Sequence, residues 1–265
     1  MISIVTVGMN HLLYIKALVH SLYIENCPKV DFEMIYVDNC SKDKTVDFIR
    51  ANYPRVHIIE NKTPLGFGEN NNKGVRASKG KYIAIINPDI VLQEGCIDNL
   101  YEYAETHTDI GILVPKLLNP DLSVQYSVRG FISLKALLWR IVSKGNDNAA
   151  NTEVSNYLCK NMDTSKIQFI DWSIGAALFI PRDVYERLKG FDTDYFLYME
   201  DEDLCLRSWK LNLPVVYLPQ AVMVHNHLRG SSKLGKKTVL HLKSMMTFFT
   251  KHGFFIRSYK NTISI

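Results

Sequence analysis

The chain has 265 residues, of which 47% are hydrophobic and 22% charged, a composition that is typical of a globular protein with one large α/β domain or two small ones. Its five scattered cysteines include no C-x-x-C pair, which argues against a disulfide framework and favours a reducing compartment. No apolar run reaches the ~18 residues that span a bilayer, and Met1 to Val7 resembles a strand rather than a signal peptide. We therefore expect a cytoplasmic protein.

The net charge of +4 is unevenly distributed along the chain. No acidic residue follows Asp203, whereas the segment after His225 is rich in cations. These are Arg229, Lys233, Lys236, Lys237, Lys243, Lys251, Arg257 and Lys260. The pattern predicts a basic appendage that meets a membrane surface, a phosphorylated ligand or nucleic acid.

The first third of the chain alternates between short β-branched runs and helical spacing. Strands are predicted over 2–7, 32–37, 56–59 and 82–86, and helices over 11–26, 43–51 and 69–78. This alternation implies right-handed βαβ units and a parallel sheet, in which ligands bind at the carboxyl ends of the strands. Asp38 and Asn87-Pro88-Asp89 follow two of these strands. We expect them to form a site for sugar hydroxyls, base edges and a metal ion.

The rest of the chain gives weaker signals. The predictions are helices over 94–106 and 182–188, strands over 110–115, 124–128, 215–218 and 221–224, an apolar patch over 134–142, a mobile loop over 143–156 and a β-forming run over 169–181. A last helix over about 236–251 places Val239, Leu242, Met246 and Phe249 on one side.

Four consecutive carboxylates, Glu200 to Asp203, interrupt an apolar and aromatic run. If a helix begins near Glu200, Asp201 lies in its first turn, where the helix dipole favours anions. Asp203 and Arg207 are then four residues apart and can pair, which leaves Asp201 free to point into a cleft as a base. Glu200 and Glu202 are expected to be supporting or solvent-facing. The alternative is a merely charged helix N-terminus.

A dinucleotide-binding oxidoreductase is disfavoured. The sequence has no P-loop lysine motif and no G-x-G-x-x-G after its first strand. Gly66-Phe67-Gly68 follows the third predicted strand and lacks the third glycine in register, so it is a weak signal.

Six motifs in order carry a resemblance that spans most of the chain. They are Val37-Asp38-Asn39-x-Ser41-x-Asp43; Asn61-x-x-x-Leu65-Gly66-Phe67-Gly68-x-x-Asn71-Asn72-x-Gly74; Asn87-Pro88-Asp89; Trp172-x-x-Gly175-Ala176-Ala177; Gly190-Phe191-Asp192 with Tyr198-x-Glu200-Asp201-x-Asp203-Leu204-x-x-Arg207; and His225-x-x-x-Arg229-x-Ser231-Ser232. The set resembles the family 2 inverting glycosyltransferases with a GT-A fold, and within them the rhamnosyltransferase-like enzymes of bacterial surface-polysaccharide synthesis.

The resemblance implies an α/β fold with a Rossmann-like, mostly parallel central sheet, helices on both faces and a C-terminal acceptor-side region. The implied organisation is one catalytic domain over 1–230, with a nucleotide-binding half over 1–117 and an acceptor half over 118–230. A basic helix and tail follow over 231–265.

The resemblance also implies a nucleotide-sugar donor site in the first half. The implied donor-binding residues are Thr6, Val7, Asp38, Asn71, Asn72, Arg76, Asn87 and Asp89. Asp38 would accept from the base imide or touch the ribose, and its alternative role is a helix cap. Arg76 would reach the phosphates, and its alternative is a solvated position on a helix.

Asn87-Pro88-Asp89 stands where the family more usually has D-x-D. The resemblance implies that Asp89 binds Mg²⁺ or Mn²⁺, which prefers oxygen ligands and would bridge the donor diphosphate. His225 is implied as a second ligand. His227 is the second choice because side chains two residues apart on a strand point the same way. The alternative for Asn87 to Asp89 is a simple turn.

The implied reaction is a single displacement at the anomeric carbon, with Asp201 as the base. Trp172, Gly175 and Glu200 would form the acceptor floor, although Trp172 is also compatible with a core position. The implied donor is dTDP-L-rhamnose and the implied acceptor is a saccharide or an undecaprenyl-diphosphate-linked sugar. A UDP-hexose or galactofuranose transferase and a non-catalytic sugar-binding scaffold are the alternatives.

The basic C-terminus is expected to touch the inner face of the plasma membrane peripherally. No aromatic-basic motif supports a nucleic-acid partner.

Overall fold

Residues 1–143, 146, 151–226 and 236–260 are described by the computed structural model. Their strands are β1 (Ile2–Gly8), β2 (Phe32–Asp38), β3 (His57–Glu60), β4 (Tyr82–Ile86), β5 (Ile90–Leu92), β6 (Ile112–Leu118), β7 (Val128–Arg129), β8 (Gln168–Phe169), β9 (Trp172–Ser173), β10 (Ala177–Pro181) and β11 (Val215–His225). Their helices are α1 (Leu12–His20), α2 (Thr45–Asn52), α3 (Phe67–Arg76), α4 (Cys96–Thr106), α5 (Leu134–Val142), α6 (Thr152–Tyr157), α7 (Arg182–Arg187), α8 (Glu200–Lys210) and α9 (Lys236–His252). A π-helical turn, Ser21–Glu25, extends α1.

The central sheet has the strand order β3-β2-β1-β4-β10-β6-β11-β5, and β8 pairs with β11. The first four strands are parallel, as the sequence predicts. The second half is mixed, because β10 is antiparallel to both β4 and β6 while β11 is parallel to β6. β10 enters from the carboxyl edge of β4, where Ala177 pairs with Ile86. This entry point holds the segment just before β10 beside the end of β4.

Helices cover both faces of the sheet, because alternate strand residues point to opposite sides. On β1, Ile2 and Ile4 face one core with α1, α2 and α4, whereas Val5 faces the other core with α3, α8 and α9. The α/β fold with helices on both faces of the sheet, which is expected from the sequence, is therefore present.

Helix α9 packs against the same core as α3 and α8. It buries Met245, Phe248 and Phe249, whereas Val239 and Met246 are exposed. The predicted apolar side of this helix is thus divided between the core and the surface. The basic segment that follows the sheet begins, within its described part, as a docked helix.

Several boundaries differ from the sequence predictions. β11 is a single strand with a bulge between Leu218 and Val222 rather than two strands. β5 was not predicted, because three residues are too few to show a period. The predicted mobile loop over 143–156 includes all of α6 except its last residue, and residues 144, 145 and 147–150 lie outside the described part. Within the described residues, no helix is both long and apolar enough to cross a membrane.

Candidate active site

The carboxyl ends of β1 and β2 bring together three buried polar atoms. They are the Thr6 hydroxyl, the Tyr36 hydroxyl and Asp38 Oδ1, and none has a hydrogen-bond partner among the described residues. Thr6 pairs in register with Tyr36, and a Cβ built on Gly8 would clash with the Tyr36 hydroxyl. Burial, followed by the charge of Asp38, raises the pKa of Tyr36. Buried polar groups normally have partners, so this edge is suited to a polar ligand.

Asp38 stabilises the turn after β2 and does not cap a helix, because α2 begins only at Thr45. Its Oδ2 accepts a hydrogen bond from the Ser41 backbone N–H at 2.9 Å, which fixes the turn after β2. Its Oδ1 is the atom that has no partner in the described structure. Val7, which follows Thr6 on β1, is only partly buried at the same edge. Tyr36 was not predicted for this group, because a tyrosine inside a strand looks like a core residue.

Three asparagines shape the loop that enters α3. Asn39 makes hydrogen bonds with both the N–H and the carbonyl of Leu65. Asn61 bonds to Asn39 and to Asn70, and Asn70 holds the Gly66 carbonyl at 2.9 Å. The N-terminus of α3 is thereby fixed against the segment before α8, where the Phe67 N–H donates to the Phe196 carbonyl at 3.0 Å.

The remaining predicted donor residues on α3 occupy three different environments. Asn71 is buried and donates to the Phe67 carbonyl at 3.0 Å. Asn72 accepts from the Tyr185 hydroxyl at 2.6 Å and binds both backbone groups of Phe191, so its amide fastens a neighbouring loop. Arg76 is exposed at the end of α3. The chain that follows α3 lies at the amino edge of the sheet, because the Lys81 N–H donates to the carbonyl of Met1, just before β1. The structure does not bring Arg76 to the carboxyl edge.

The geometry therefore favours a structural role for Asn72 and the solvated alternative for Arg76. The reason is topological. A helix that follows a parallel strand begins at the carboxyl edge and ends roughly 15 Å away, at about 1.5 Å per residue.

Asp89 and His225 meet beside the end of β4. The chain turns over residues 87–89 and enters β5. Strand β5 pairs antiparallel with the end of β11, which places His225 opposite Ile90. His225 Nε2 lies 3.5 Å from Asp89 Oδ2. Asp89 Oδ1 is buried and has no hydrogen-bond partner in the described part of the chain. Asn87 is partly buried, and its N–H donates to the Ala176 carbonyl at 2.9 Å.

A glutamine orients the imidazole of His225. Gln125 Oε1 lies 2.6 Å from His225 Nδ1, and Gln125 Nε2 donates to Asn119 Oδ1 at 2.9 Å. With Nδ1–H donating to Gln125, Nε2 carries the lone pair and faces Asp89. Imidazoles that bind metals are commonly held this way through their second nitrogen.

Asp89 and His225 are suited to a divalent cation whose other coordination positions are filled by a bound substrate and water. Among the described residues there is no group of three or more His, Cys, Asp or Glu side chains placed to hold a metal. Two protein ligands leave several positions for diphosphate oxygens and water, as Mg²⁺ and Mn²⁺ sites commonly do. His227, the alternative ligand, lies outside the described residues.

Asp201 lies in the first turn of α8, directly beside the loop that precedes β10. Its Oδ2 accepts a hydrogen bond from the Gly175 N–H at 2.8 Å, and Oδ1 accepts from the Glu202 N–H at 2.9 Å. A Cβ built on Gly175 would lie 3.3 Å from Asp201 Cβ, so a larger residue would crowd the carboxylate. Tyr198 and Met199 lead into α8 with φ of 70° each. Non-glycine residues rarely adopt this left-handed conformation, and such strain concentrates at functional sites.

The carboxylates of Glu200 and Glu202 are buried, so the expectation that they could face solvent is wrong. The Ile132 N–H donates to Glu202 Oε1 at 2.8 Å. Oε2 of each glutamate has no partner within the described structure. The first turn of α8 docks against the sheet and the 131–132 segment, which the local sequence does not specify.

Burial raises the pKa of the first three of the four acids at the start of α8. The pKa of Glu200 rises to about 8, through burial first and the charge of Asp201 second. Burial also raises the pKa of Asp201, although the hydrogen bond from Gly175 opposes the shift. The pKa of Glu202 lies well above its usual range for the same reason. A carboxylate with a raised pKa is a stronger base, as general-base catalysis near neutral pH requires.

Asp203 has the structural role predicted from its spacing to Arg207. Arg207 Nε donates to Asp203 Oδ2 at 2.7 Å, and His252 Nε2 on α9 lies 2.7 Å from Asp203 Oδ1. Burial alone would raise the pKa of Asp203, but the hydrogen bonds from His252 and Arg207 outweigh it and lower the pKa. Arg207 also binds the Leu188 and Gly190 carbonyls, which fastens α8 to the end of α7.

Trp172 belongs to the core beneath the predicted acceptor floor. Its Nε1–H donates to the Gly130 carbonyl at 2.8 Å, and its side chain is almost fully buried. Arg129, which pairs with Trp172 across β7 and β9, lies over the Tyr157 ring at 5.4 Å. The charge of Arg129 opposes the rise in pKa of Asp201 and Glu202. Arg129 was not predicted, because its sequence context is unremarkable.

Comparison with known proteins agrees with this arrangement. The family model for glycosyl transferase family 2 matches residues 3–169. The chain belongs to glycosyl transferase family 2. The matched part of this family 2 chain includes Asp38 and Asp89 and ends before Asp201 and His225.

Two relatives of this family 2 chain are rhamnosyltransferases. The rhamnosyltransferase WbbL of Escherichia coli strain K12 is 29% identical over 261 residues, which cover 95% of this chain and 93% of the relative. The N-acetylglucosaminyl-diphospho-decaprenol L-rhamnosyltransferase of Mycobacterium tuberculosis strain H37Rv is 27% identical over 241 residues, covering 83% and 75%. The chain is therefore a rhamnosyltransferase-like family 2 glycosyltransferase.

Solved structures support the GT-A fold. The mannosyltransferase PcManGT of Pyrobaculum calidifontis, solved with GDP-Man and Mn²⁺, aligns with a TM-score of 0.60 at 15% identity, covering 87% of this chain and 58% of its own. GalNAc-T7, solved with UDP, GalNAc and Mn²⁺, aligns with a TM-score of 0.65 at 16% identity, covering 86% and 44%. This chain spans about half the length of these two proteins.

Proposed function

We propose that the protein transfers one sugar from a nucleoside-diphosphate donor to a saccharide acceptor with inversion, and that the sugar is L-rhamnose from dTDP-L-rhamnose. The observation that carries the proposal is the convergence of three groups at one edge of the sheet. These groups are the buried polar atoms of Thr6, Tyr36 and Asp38, the Asp89–His225 pair and Asp201. The Asn87 N–H bonds to the Ala176 carbonyl, and the adjacent Gly175 N–H bonds to Asp201. The proposed leaving-group site and the proposed base are thus connected through two consecutive residues, Gly175 and Ala176.

The donor is proposed to lie along the first half of the chain. Its base and ribose would meet Thr6, Tyr36 and Asp38, whose buried polar atoms need partners. Asp89 and His225 Nε2 would hold Mg²⁺ or Mn²⁺ against the diphosphate. When bound, such an ion neutralises charge that develops on the departing nucleotide.

Asp201 is proposed to act as the base. Its Oδ2 is held by the Gly175 N–H, and its raised pKa suits a group that takes the proton from an acceptor hydroxyl. The hydroxyl oxygen forms a bond to the anomeric carbon while the bond from that carbon to the phosphate oxygen breaks. One displacement inverts the configuration and forms no covalent bond to the protein.

The acceptor is proposed to be a sugar linked to a lipid diphosphate, with peripheral membrane contact near the C-terminus. Support comes from the decaprenol-linked substrate in the name of the mycobacterial relative and from the basic residues that follow Asp203. The charge of Arg129 opposes the rise in the pKa of Asp201, and Arg129 is proposed as a cation for the acceptor.

A donor panel tests the proposal. Thermal shifts would be measured with dTDP-rhamnose, UDP-glucose, UDP-galactose and UDP-galactofuranose, each with and without Mn²⁺, because a ligand that binds the folded state raises its melting temperature. Stabilisation by dTDP-rhamnose that depends on Mn²⁺ is expected. Transfer to a synthetic lipid-diphosphate N-acetylglucosamine would follow, with the new anomeric configuration determined by NMR.

Each contrary outcome has a defined meaning. Stabilisation by a UDP sugar alone would replace the proposed donor. Donor binding without transfer to any acceptor would favour the sugar-binding scaffold. Retention of configuration would contradict the single displacement.

A further inference from the structure

Helices α5 and α9 each expose an apolar stripe. On α5 the stripe consists of exposed Leu134, Leu138 and Val142, which follow each other at intervals of four residues. On α9 they are Val239, Leu242 and Met246, at intervals of three and four. These spacings place each set on one side of its helix. The six residues are called the α5–α9 surface below.

The side chains of both stripes are substantially exposed. Leu138 is 63% exposed, Val142 70%, Leu242 50% and Met246 72%. Each helix also has a separate buried side, formed by Ala136 on α5 and by Met245, Phe248 and Phe249 on α9. The fold therefore uses one apolar side of each helix and leaves a second one uncovered. A helix that only covers a core would present polar residues there.

The two stripes belong to one region of the molecule. Leu137 on α5 packs against the same core cluster as Met245 and Phe248 on α9. Partial burial, followed by the charge of Arg140 on α5, also lowers the pKa of His241 on α9. The His241 ring packs on Tyr198 at 4.8 Å, and the Ser244 hydroxyl donates to the Leu197 carbonyl at 2.8 Å. The α5–α9 surface is therefore next to the strained segment that leads to Asp201.

The charge on both helices identifies the kind of partner. Neither α5 nor α9 contains an acidic residue, and exposed Lys135 and Lys243 accompany the apolar stripes. Trp139 is 45% exposed on α5. Apolar side chains bordered by lysine and tryptophan are typical of helices that lie in the interface of an anionic bilayer. A second copy of this chain would bring like charges together, which disfavours self-association.

We propose that the α5–α9 surface inserts its apolar stripes into the interface of an anionic lipid membrane, which places Asp201 next to lipid-linked acceptors. The inference rests on the proposed function for the identity of the acceptor, but the membrane contact itself does not depend on it. It goes beyond attraction to the basic C-terminus, because it assigns binding energy to uncharged side chains on two helices, one of them far from the C-terminus in sequence.

Flotation of the full-length protein with lipid vesicles tests the inference. One set of vesicles would be phosphatidylcholine alone, and the other would contain about one third phosphatidylglycerol. The wild-type protein is expected to float with the anionic vesicles and much less with the neutral ones. The double variant Leu138→Glu/Met246→Glu should bind the anionic vesicles at least about tenfold more weakly, since two charges would enter the apolar interface.

A matched control distinguishes binding through this surface from nonspecific membrane binding by exposed apolar residues elsewhere. Leu13 is 78% exposed and Ile24 65% exposed, in α1 and the π-helical turn that follows it. Leu13→Glu/Ile24→Glu adds the same charge there and should float like the wild type. Equal loss in both double variants would overturn the inference, as would failure of the wild type to bind anionic vesicles. A wild-type dimer in analytical ultracentrifugation that Leu138→Glu/Met246→Glu dissociates would instead assign the surface to a second copy.

Activity distinguishes failure of this inference from failure of the proposed function. On a short-chain, water-soluble acceptor, Leu138→Glu/Met246→Glu should transfer sugar at the wild-type rate, because neither residue touches the site. Absence of transfer in every protein, with flotation as expected, would overturn the proposed function and retain the membrane surface. Normal transfer without vesicle binding would do the reverse.

Discussion

Gln125 Oε1 lies 2.6 Å from His225 Nδ1, although the two residues are 100 positions apart in the sequence. Asn119 holds the other end of the Gln125 amide. These two hydrogen bonds fix the imidazole so that Nε2 faces Asp89. We therefore assign Gln125 as a positioning residue for the proposed metal ligand.

Gln125→Leu should lower the affinity for Mn²⁺, measured in the presence of a nucleoside diphosphate, by about 10- to 100-fold, as expected for loss of a partner that orients a ligand. Manganese electron paramagnetic resonance would measure free ion directly. Gln125→Glu retains an oxygen acceptor for Nδ1–H and should recover much of the affinity. Gln220→Leu changes an exposed glutamine and serves as the control. Unchanged Mn²⁺ affinity in Gln125→Leu would show that His225 needs no such support, or does not bind the ion.

Asp201→Asn should reduce kcat by roughly 10²- to 10⁴-fold, the usual contribution of a general base. The amide oxygen can still accept from the Gly175 N–H, so folding and donor binding should be preserved. Rates of transfer and the thermal shift with donor would be measured together. Asp183→Asn, at an exposed position on α7, is the matched control. Full activity in a folded Asp201→Asn protein would remove Asp201 from the mechanism.

The pH dependence of the rate gives a further check on Asp201. Only the deprotonated carboxylate can accept a proton. Because burial raises the pKa of Asp201 above its usual value, the acidic limb of the kcat profile should lie above the ordinary aspartate range. A limb at the ordinary value would contradict the buried position of this carboxylate.

Glu200 should make the folded protein less stable as pH rises. Its folded pKa is raised from 4.5 to about 8, so between these values the folded state binds more protons than the unfolded state. The free energy of unfolding must then fall with increasing pH across this window. Glu200→Gln should flatten the dependence and raise the melting temperature at pH 8 by a few degrees, on the order of 2–4 °C per kcal/mol.

Calorimetric melting of wild type and Glu200→Gln from about pH 5 to about pH 8 would measure this effect. Glu186→Gln, at an exposed position on α7, should keep the wild-type slope. A Glu200→Gln variant whose melting temperature follows the wild-type curve would show that Glu200 ionises normally.

Features that depend on neighbouring residues in the sequence were predicted correctly, whereas features that depend on contacts between distant segments were not. β4 was predicted with its observed ends, 82–86, because a run of apolar β-formers between a glycine-containing turn and a proline defines itself locally. The Asp203–Arg207 pair was also predictable, because four-residue spacing on a helix determines the contact. The strand ends that carry Asp38 and Asp89 followed from the alternation of elements.

The unpredicted features depend on contacts between distant segments. Gln125 reaches His225 only because β11 and β6 are neighbours, and no local pattern indicates that pairing. Glu202 is buried because the first turn of α8 docks against Ile132. The two alternatives for Arg76 stayed open for the same reason, because motif order alone does not show at which edge of the sheet a helix ends.

Asp203→Asn should destabilise the protein strongly, because it removes the charge that both Arg207 and His252 contact. Breaking a buried ion pair from one side costs about 3–5 kcal/mol, and here it also loosens α9 from α8. Urea unfolding followed by circular dichroism would measure the loss. Asp47→Asn removes an exposed partner of Arg50 and should change the free energy of unfolding by less than about 1 kcal/mol.

Because the pKa of Asp203 is lowered in the folded state, the contribution of Asp203 to the free energy of unfolding is complete above the ordinary aspartate range and is lost as pH falls through the folded pKa. Wild type and Asp203→Asn should therefore converge in stability in strong acid, and a difference that persisted there would show that packing, rather than charge, accounts for the loss.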